Sequence, residues 1–148
     1  WERQGKLKAV ITQNIDGLHQ KAGSRMVLEL HGSVLRNHCT RCGQFYGVER
    51  IVNSRGVPRC SCGGIIKPDV VLYEESLDED VMAEAIHYIR QADVLIIGGT
   101  SLVVYPAAGL VQYYRGHKLA VINKGGAGSG LGAAVTVDAP IGQVMAQL

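Results

Sequence analysis

The sequence predicts an α/β fold: a doubly wound parallel sheet carrying a small inserted ribbon. Short apolar runs typical of buried strands alternate with segments of helical periodicity, which is the pattern of such a sheet. Residues 93–97 give the clearest strand because four of the five are consecutive large aliphatic residues. All four cysteines lie between residues 39 and 62, where the alternation is interrupted. We therefore expect 1–34 and 68–148 to form the main domain and 35–67 to form the insertion.

Composition excludes several classes of function. The 148 residues are 47% hydrophobic, which suits one domain with an insertion, and the net charge of +2 is too small to predict binding to nucleic acid or a membrane surface. No apolar run approaches the roughly 18 residues of a transmembrane helix. Clustered cysteines favour a metal over disulfides in a reducing compartment, so we expect a cytoplasmic protein.

Polar residues follow the first two predicted strands at the point where each strand ends. The run at 9–11 leads into Gln13, Asn14 and Asp16, and the run at 26–30 leads into His31. Ligands bind at the carboxyl ends of strands in open α/β sheets, so these side chains form one candidate site. Their amides and carboxylate can bind a sugar or a carboxamide, and the histidine can transfer protons near neutral pH. Gly32 would let a ligand approach closely. The alternative is that the polar residues only cap turns.

The cysteines form two close pairs that predict a zinc site. Cys39 and Cys42 have the C-x2-C spacing, whereas Cys60 and Cys62 have the tighter C-x-C spacing. Four thiolates bind zinc tetrahedrally and leave no open position, so one structural zinc per chain is expected. His38 adjoins the first pair and is the alternative ligand.

A strand and an amphipathic helix are predicted after the insertion. Residues 69–73 have the composition of a short strand, and the Ser-x-x-Glu pattern at 76–79 is that of a capping box. The apolar residues that follow at helical spacing are expected in the core: Val81, Met82, Ala85, Ile86 and Ile89.

The remaining chain predicts further strands that end in small polar residues. The strand at 93–97 ends in two glycines and two hydroxyl residues, and Pro106 favours the first turn of a helix. The strand at 118–122 ends in Asn123. Residues 128–133 satisfy G-x-G-x-x-G/A, but a strand so soon afterwards leaves no room for the helix that this fingerprint requires. That strand at 135–137 and a helix at 140–148 close the pattern.

The order of these motifs resembles the sirtuins, the NAD-dependent protein deacylases. Residues 12–19 match their Thr-Gln-Asn-Ile-Asp-x-Leu-His motif, and residues 31–32 match the His-Gly pair that follows. The cysteine pairs, the Gly-Thr-Ser at 99–101 and the asparagine at 123 occur in the family's order. Two departures are the C-x-C pair and Glu74, which stands where glycine is commoner in the family.

The resemblance implies a Rossmann-like NAD-binding domain with a zinc ribbon, and a deacylase that acts on an acylated-lysine protein or peptide. In that reaction the acyl oxygen displaces nicotinamide, and His31 is the general base on a ribose hydroxyl. The residues implied for NAD are Gln13, Asn14, Asp16, Gly99, Thr100, Ser101, Asn123, Lys124 and Ile141. Those implied for an extended acyl-lysine peptide are Val71, Tyr73, Glu75, Leu102 and Val104.

Two other functions remain open from the sequence. An ADP-ribosyltransferase could be built from the same residues, and so could a non-catalytic module that binds ADP-ribose or a protein. His31 argues against the second, because binding alone needs no base. The Gly-Ala-Gly-x-Ser and Gly-Ile-Pro-Asp-Phe-Arg motifs of sirtuins are not found within these 148 residues. We therefore expect a sheet that is incomplete at its N-terminal side, and a chain that alone binds NAD poorly and does not deacylate.

Overall fold

The computed structural model describes residues 1–126 and 130–148, which form two compact units, Trp1–Met82 and Ala83–Leu148. Helices and parallel strands are both present, so the predicted α/β class is confirmed. Among the described residues, however, the parallel strands belong to two separate ladders rather than to one sheet. The predicted domain boundaries at 34/35 and 67/68 stay a prediction.

The first ladder is a parallel pair in the first unit. Strand β1 (Val10–Thr12) pairs with β2 (Val27–Glu29), and the short helix α1 (Leu18–Lys21) lies between them in the chain. Both strands agree with the apolar runs of the sequence. The carboxylate of Glu2 accepts hydrogen bonds from the amides of Arg25 and Met26, which fixes the entry to β2.

The insertion forms an antiparallel sheet whose order is β4-β3-β5. Its strands are β3 (Gly32–Cys39), β4 (Phe45–Gly47) and β5 (Ile66–Val70), and the helix α2 (Val48–Val52), which the sequence did not predict, follows β4. Strand β3 begins one residue after His31 and ends on a cysteine of the metal cluster. The strand predicted at 69–73 was placed three residues too late.

The sheet itself requires a glycine at position 32. Its φ is +77°, and a Cβ atom at this position would overlap the backbone carbonyl of Asp69 on the neighbouring strand. Ser33 and Asp69 are paired across β3 and β5, so the two backbones meet immediately after His31. The sheet therefore accounts for this glycine, and its role in the approach of a ligand stays a prediction.

The second unit contains a three-stranded parallel sheet. Helix α3 (Glu79–Gln91) leads into β6 (Val94–Gly98), which is followed by a 3₁₀ helix (Ala107–Tyr113) and β7 (Lys118–Ile122). Strand β8 (Val135–Val137) and helix α4 (Ile141–Met145) complete the unit, with the sheet order β6-β7-β8.

One face of this sheet carries the core of the second unit. Ile97, Leu119 and Val121 are buried, and the packed residues include Val111 and Tyr114 of the 3₁₀ segment. The helix expected after Pro106 is thus present as a 3₁₀ helix, and it packs apolar side chains on the sheet.

Two smaller predictions about loops have different outcomes. The cap of α3 is Asp78, whose Oδ1 accepts from the amides of Asp80 and Val81 at 2.9 and 3.1 Å, so the capping box beginning at Ser76 is wrong. Part of the glycine-rich pattern, Gly128 and Ser129, lies outside the described residues, but β8 does follow it as expected.

Among the helices of the described residues, none is long and apolar enough to cross a membrane.

Candidate functional site

His31 lies at the carboxyl end of β2, where its ring contacts the end of β1. Its Nδ1 is 3.0 Å from the backbone carbonyl oxygen of Gln13. A carbonyl oxygen can only accept a hydrogen bond, so Nδ1 carries a proton in this contact and the neutral ring keeps its lone pair on Nε2. The side chain is partly exposed. The arrangement therefore gives His31 a fixed orientation and one basic nitrogen available to a ligand.

Hydrogen bonds hold the polar loop after β1 beside the segment after β2. The amide of Leu30 donates to the Thr12 carbonyl at 2.9 Å, and the amide of Val34 donates to the Ile15 carbonyl at 3.0 Å. Gln13, Asn14 and Asp16, which lie in this loop, are therefore brought together with His31, as predicted from the strand ends.

Within this loop, local hydrogen bonds also use some of the predicted ligand-binding groups. Thr12 Oγ1 accepts from the Asn14 amide at 3.0 Å, and Asp16 Oδ1 accepts from the Leu18 amide at 3.0 Å. Asp16, which precedes the N-cap residue Gly17, thus bonds the first amide of α1 through one carboxylate oxygen. The side chains of Asn14 and Asp16 are exposed. A structural role and a role in ligand binding are compatible here, because the capping contact uses only one oxygen.

The predicted substrate segment begins directly beside His31. The amide of Val71 donates to the His31 carbonyl at 3.0 Å, and the amide of Leu72 donates to Glu75 Oε2 at 2.9 Å. Tyr73 is fully exposed. The Leu72 amide and then the Lys67 ammonium hold the pKa of Glu75 below its usual range. This segment is therefore bound to the same strand end as the candidate base.

The second unit brings together another group of the residues implied for NAD. The loop after β6 contains Gly99, whose φ is +63°, and Asn123 at the end of β7 donates from Nδ2 to the Thr100 carbonyl at 2.6 Å. Ser101 in the same loop is exposed. Hydroxyl and amide groups at the carboxyl ends of adjacent parallel strands fit a sugar or phosphate ligand.

The remaining predicted residues of this unit have more varied surroundings. Ile141 occupies the space that a Cβ at Gly98 would need, so its side chain packs on the end of β6, and it is 37% exposed. Lys124 and Val104 are exposed, whereas Leu102 is partly buried and packs against the core of the second unit. Of the residues implied for NAD, three lie in the first unit and six in the second.

The four cysteine sulfurs form a cluster that fits a tetrahedral metal ion. All four Sγ atoms lie within 4.8 Å of one another, with Cys39 and Cys62 separated by 3.5 Å and Cys42 and Cys60 by 3.6 Å. Sulfurs bound to one zinc at about 2.3 Å would lie about 3.8 Å apart. The short C-x-C pair therefore does not prevent convergence, and these four residues could hold one structural zinc. The alternative ligand His38 instead contacts Asp69 at 2.7 Å.

The thiols of this cluster differ in acidity. A hydrogen bond from the Tyr46 hydroxyl, followed by one from the Cys62 amide, lowers the pKa of Cys60 to about 5. For Cys62 the hydrogen bond from the Gly64 amide acts to lower the pKa, but the neighbouring thiols outweigh it and raise the pKa to about 12. Four thiolates repel one another, so the cluster needs a cation to be fully deprotonated.

Sequence reasoning missed two polar residues that contact predicted site residues. Tyr46 donates from its hydroxyl to Cys60 Sγ at 3.0 Å, across 14 positions of sequence. Lys67 donates from Nζ to Glu75 Oε2 at 3.2 Å. The position of Tyr46 in the sequence gave no indication that it contacts Cys60. Lys67 lies two residues before the predicted strand at 69–73, and its contact with Glu75 eight positions later likewise had no signal in the sequence.

Comparison with known proteins gives consistent matches. The Sir2 family profile matches residues 1–106. The chain is 58% identical, over 99% of its length, to an NAD-dependent protein deacetylase of Clostridium perfringens. It is 53% identical, over 97% of its length, to an NAD-dependent protein deacetylase of Clostridium acetobutylicum. The chain spans 61% and 60% of these two relatives.

Solved structures match equally well. A structure of Sir2 with a p53 peptide and NAD+ is 40% identical, with a TM-score of 0.89 over 99% of this chain and 63% of that one. A structure of Sir2Tm bound to a propionylated peptide is 39% identical, with a TM-score of 0.90 over 99% of this chain and 64% of that one. Together with the family profile, which covers well over half of the sequence, these likenesses show that the chain belongs to the Sir2 family.

Proposed function

We propose that the protein containing this chain is an NAD-dependent protein deacylase. It removes an acyl group from a protein lysine and releases nicotinamide and O-acyl-ADP-ribose, which makes it a transferase. The observation that carries the proposal is the contact of His31 Nδ1 with the Gln13 carbonyl at the carboxyl ends of two parallel strands.

In this proposal His31 is the general base. The Gln13 carbonyl keeps the Nδ1 proton in place, so Nε2 receives a proton from a sugar hydroxyl placed against it. Positional fixing matters because a base must lie within hydrogen-bond reach of the proton that it takes. Asn14 and Asp16, which follow Gln13 in the loop after β1, expose polar side chains that bind and orient the nicotinamide ribose.

Bound NAD would supply an electrophilic ribose carbon and nicotinamide as its leaving group. In the first unit Gln13, Asn14 and Asp16 hold the nicotinamide side. In the second unit Gly99, Thr100, Ser101, Asn123, Lys124 and Ile141 hold the adenosine side. Support for the second group comes from the Asn123–Thr100 hydrogen bond, which fixes the loop, and from the exposed Ser101 hydroxyl.

The acyl-lysine substrate is proposed to bind as an extended peptide along Val71, Tyr73 and Glu75, with Leu102 and Val104 as further contacts. A peptide can add to an exposed strand by backbone hydrogen bonds. The amides of Val71 and Leu72 already have acceptors within the chain. Any amide that this segment donates to a peptide must therefore lie beyond Leu72, and the fully exposed Tyr73 is the first candidate.

The relatives support this choice of reaction and substrate. Two relatives more than 50% identical are named NAD-dependent protein deacetylases, and the matching Sir2 structures were solved with NAD+ and with acetylated or propionylated peptides. Four cysteines that form no disulfide support a cytoplasmic location.

The test uses the protein with its complete natural sequence. It is incubated with NAD and an acetyl-lysine peptide, and nicotinamide, deacetylated peptide and O-acetyl-ADP-ribose are measured together. We expect equal amounts of the three products. His31→Ala should lower turnover by about 10²–10⁴-fold, the usual effect of losing a general base. His87→Ala removes an exposed imidazole from α3 and serves as the matched control.

The same measurement separates the other functions. ADP-ribose attached to protein without O-acetyl-ADP-ribose would indicate an ADP-ribosyltransferase. Binding of ADP-ribose without release of nicotinamide would indicate a non-catalytic module. Near-normal turnover by His31→Ala, with the fold intact, would remove this histidine from the mechanism.

A further inference from the structure

The segment that follows β5 is closed on itself by a single lysine. Lys67 Nζ donates to the Val70 carbonyl at 3.0 Å and to Glu75 Oε2 at 3.2 Å. The same carboxylate oxygen accepts from the Leu72 amide at 2.9 Å, and the Glu75 amide donates to the Leu72 carbonyl at 3.1 Å. One ammonium and one carboxylate thus connect both ends of the segment 70–75.

This network is more than an isolated ion pair on the surface. The side chains of Lys67 and Glu75 are 37% and 44% exposed, and a simple pair of this exposure contributes little because solvent screens it. Here, however, both charged groups also bond backbone atoms of the same turn. Their effect is therefore to select one backbone conformation of the segment.

The selected conformation includes a residue that is strained. Glu74 has φ +70°, the left-handed region, which is unfavourable for any residue with a Cβ atom. Residues in such regions persist only where their surroundings hold them. The contacts of Lys67 and Glu75 flank Glu74 on both sides and supply that restraint. A glycine at position 74 would adopt the same φ without strain, and so would need the restraint less.

The restrained segment is attached to the candidate base. The Val71 amide donates to the His31 carbonyl at 3.0 Å, and Val70 is paired with Gly32 in the β3–β5 ladder. The conformation of 71–75 therefore determines which backbone groups face a peptide beside His31.

We propose that Lys67 is a positioning residue, which holds the segment 71–75 in the conformation that receives the acyl-lysine peptide. This inference rests on the proposed deacylase function and deepens it. Lys67 acts through the Val70 carbonyl and through Glu75 and contacts neither the acyl group nor NAD. Its loss should affect the binding of peptide far more than the chemical step.

The first experiment measures steady-state kinetics on the protein with its complete natural sequence, varying peptide and NAD separately. Lys67→Met keeps the length of the side chain but removes its charge. We expect the KM for the peptide to rise about 3–10-fold, the usual effect of losing one or two charge-assisted hydrogen bonds, with kcat and the KM for NAD within about twofold. Lys67→Arg, which can donate to both acceptors, should restore most of the loss. Lys8→Met removes an exposed lysine and should change nothing.

A second variant tests the role of the strained residue. In the background of Glu74→Gly, Lys67→Met should raise the KM for the peptide by clearly less than it does alone, because glycine needs no restraint at φ +70°. Equal effects of Lys67→Met in the two backgrounds would contradict the argument from strain and overturn the proposal. If Lys67→Met does not fold, Lys67→Gln, which is also uncharged and shorter, replaces it in the same design.

Amide hydrogen exchange separates failure of this inference from failure of the proposed function. The Leu72 amide should exchange about 3–10-fold faster in Lys67→Met than in the wild type, whether or not the protein is a deacylase. Unchanged exchange at Leu72 would overturn the positioning role. A wild type without deacylase activity, but with faster exchange in the variant, would reject the proposed function alone. An unchanged KM for the peptide in an active enzyme would also overturn the inference.

Discussion

The ribbon and the sheet of the second unit are both three-stranded, but different forces stabilise them. The buried hydrophobic cluster of the ribbon consists of Cys39, Cys60 and Ile66, so two of the three are candidate metal ligands. Other large apolar residues of the ribbon are exposed, among them Phe45 at 57% and Val52 at 75%. The ribbon therefore buries too little apolar surface to be stable without a bound ion.

The sheet of the second unit has the opposite composition. Its buried residues Ile97, Leu119 and Val121 are all aliphatic, and the 3₁₀ helix covers them. Burial of such side chains stabilises a fold by about 1.5–3 kcal/mol for each residue. The contrast shows that a short sheet is stabilised either by an apolar face that is covered or by ligands that converge on a metal. Each source of stability can be removed separately.

The largest effect is expected from breaking the metal cluster. Cys60→Ser should release the metal and unfold the ribbon, because structural zinc contributes free energy on the order of 10 kcal/mol to folding. Elemental analysis should give one zinc per wild-type chain and none in the variant, and limited proteolysis should cut first within 39–66. The exposed Val52 provides the control, Val52→Ala, which should keep its zinc. Wild-type protein without zinc, or with a disulfide among these cysteines, would contradict the assignment.

A smaller effect is expected from the core of the second unit. Val121→Ala removes two methyl groups from a fully buried position and should lower the free energy of unfolding by about 2 kcal/mol. The matched change Val135→Ala lies in the same sheet at a side chain that is 54% exposed, and should cost less than about 0.5 kcal/mol. Denaturant titration measures both, and zinc content should not change in either. Loss of zinc from Val121→Ala would show that the two sources of stability are not separate.

The smallest effect is expected from a residue that tunes the metal cluster. The hydrogen bond from the Tyr46 hydroxyl is the largest of the causes that lower the pKa of Cys60 to about 5, so protons displace a metal from this sulfur only at lower pH. Tyr46→Phe should raise the pKa of Cys60, weaken zinc binding about tenfold and move the midpoint of acid-induced zinc release to higher pH. A chromophoric zinc indicator reports the release during a pH titration. Tyr105→Phe, at a side chain that is 75% exposed, is the control, and an equal shift in both variants would discount the hydrogen bond.

Several elements could be predicted from the sequence because their determinants are local. Strand β7 was predicted with its observed bounds, since a continuous aliphatic run is flanked by polar residues on both sides. The convergence of four cysteines followed from their spacing. The placement of His31 beside the loop that contains Gln13 followed from the rule that parallel strands end at one edge, but the bond of its ring to the Gln13 backbone carbonyl was not predicted.

Other features depend on tertiary contacts that the sequence does not encode locally. Strand β5 contains Lys67 and Pro68, which weaken a strand pattern, yet β5 is an edge strand and tolerates a proline there. The close approach of the Asp69 carbonyl to Gly32 is visible only in the folded ribbon. The contacts Tyr46–Cys60 and Lys67–Glu75 likewise join residues that a linear reading cannot pair.

Strand β3 connects the candidate base of the first unit to its metal cluster. It starts directly after His31 and ends at Cys39, so seven residues lie between the histidine and the first cysteine. Strand β4 pairs with Arg36–His38, and β5 pairs with both ends of β3, with a register shift between Ser33 and Asn37. The candidate base and the metal cluster therefore share one ladder, so we expect an unfolding that begins at the cysteines to loosen the residue next to His31.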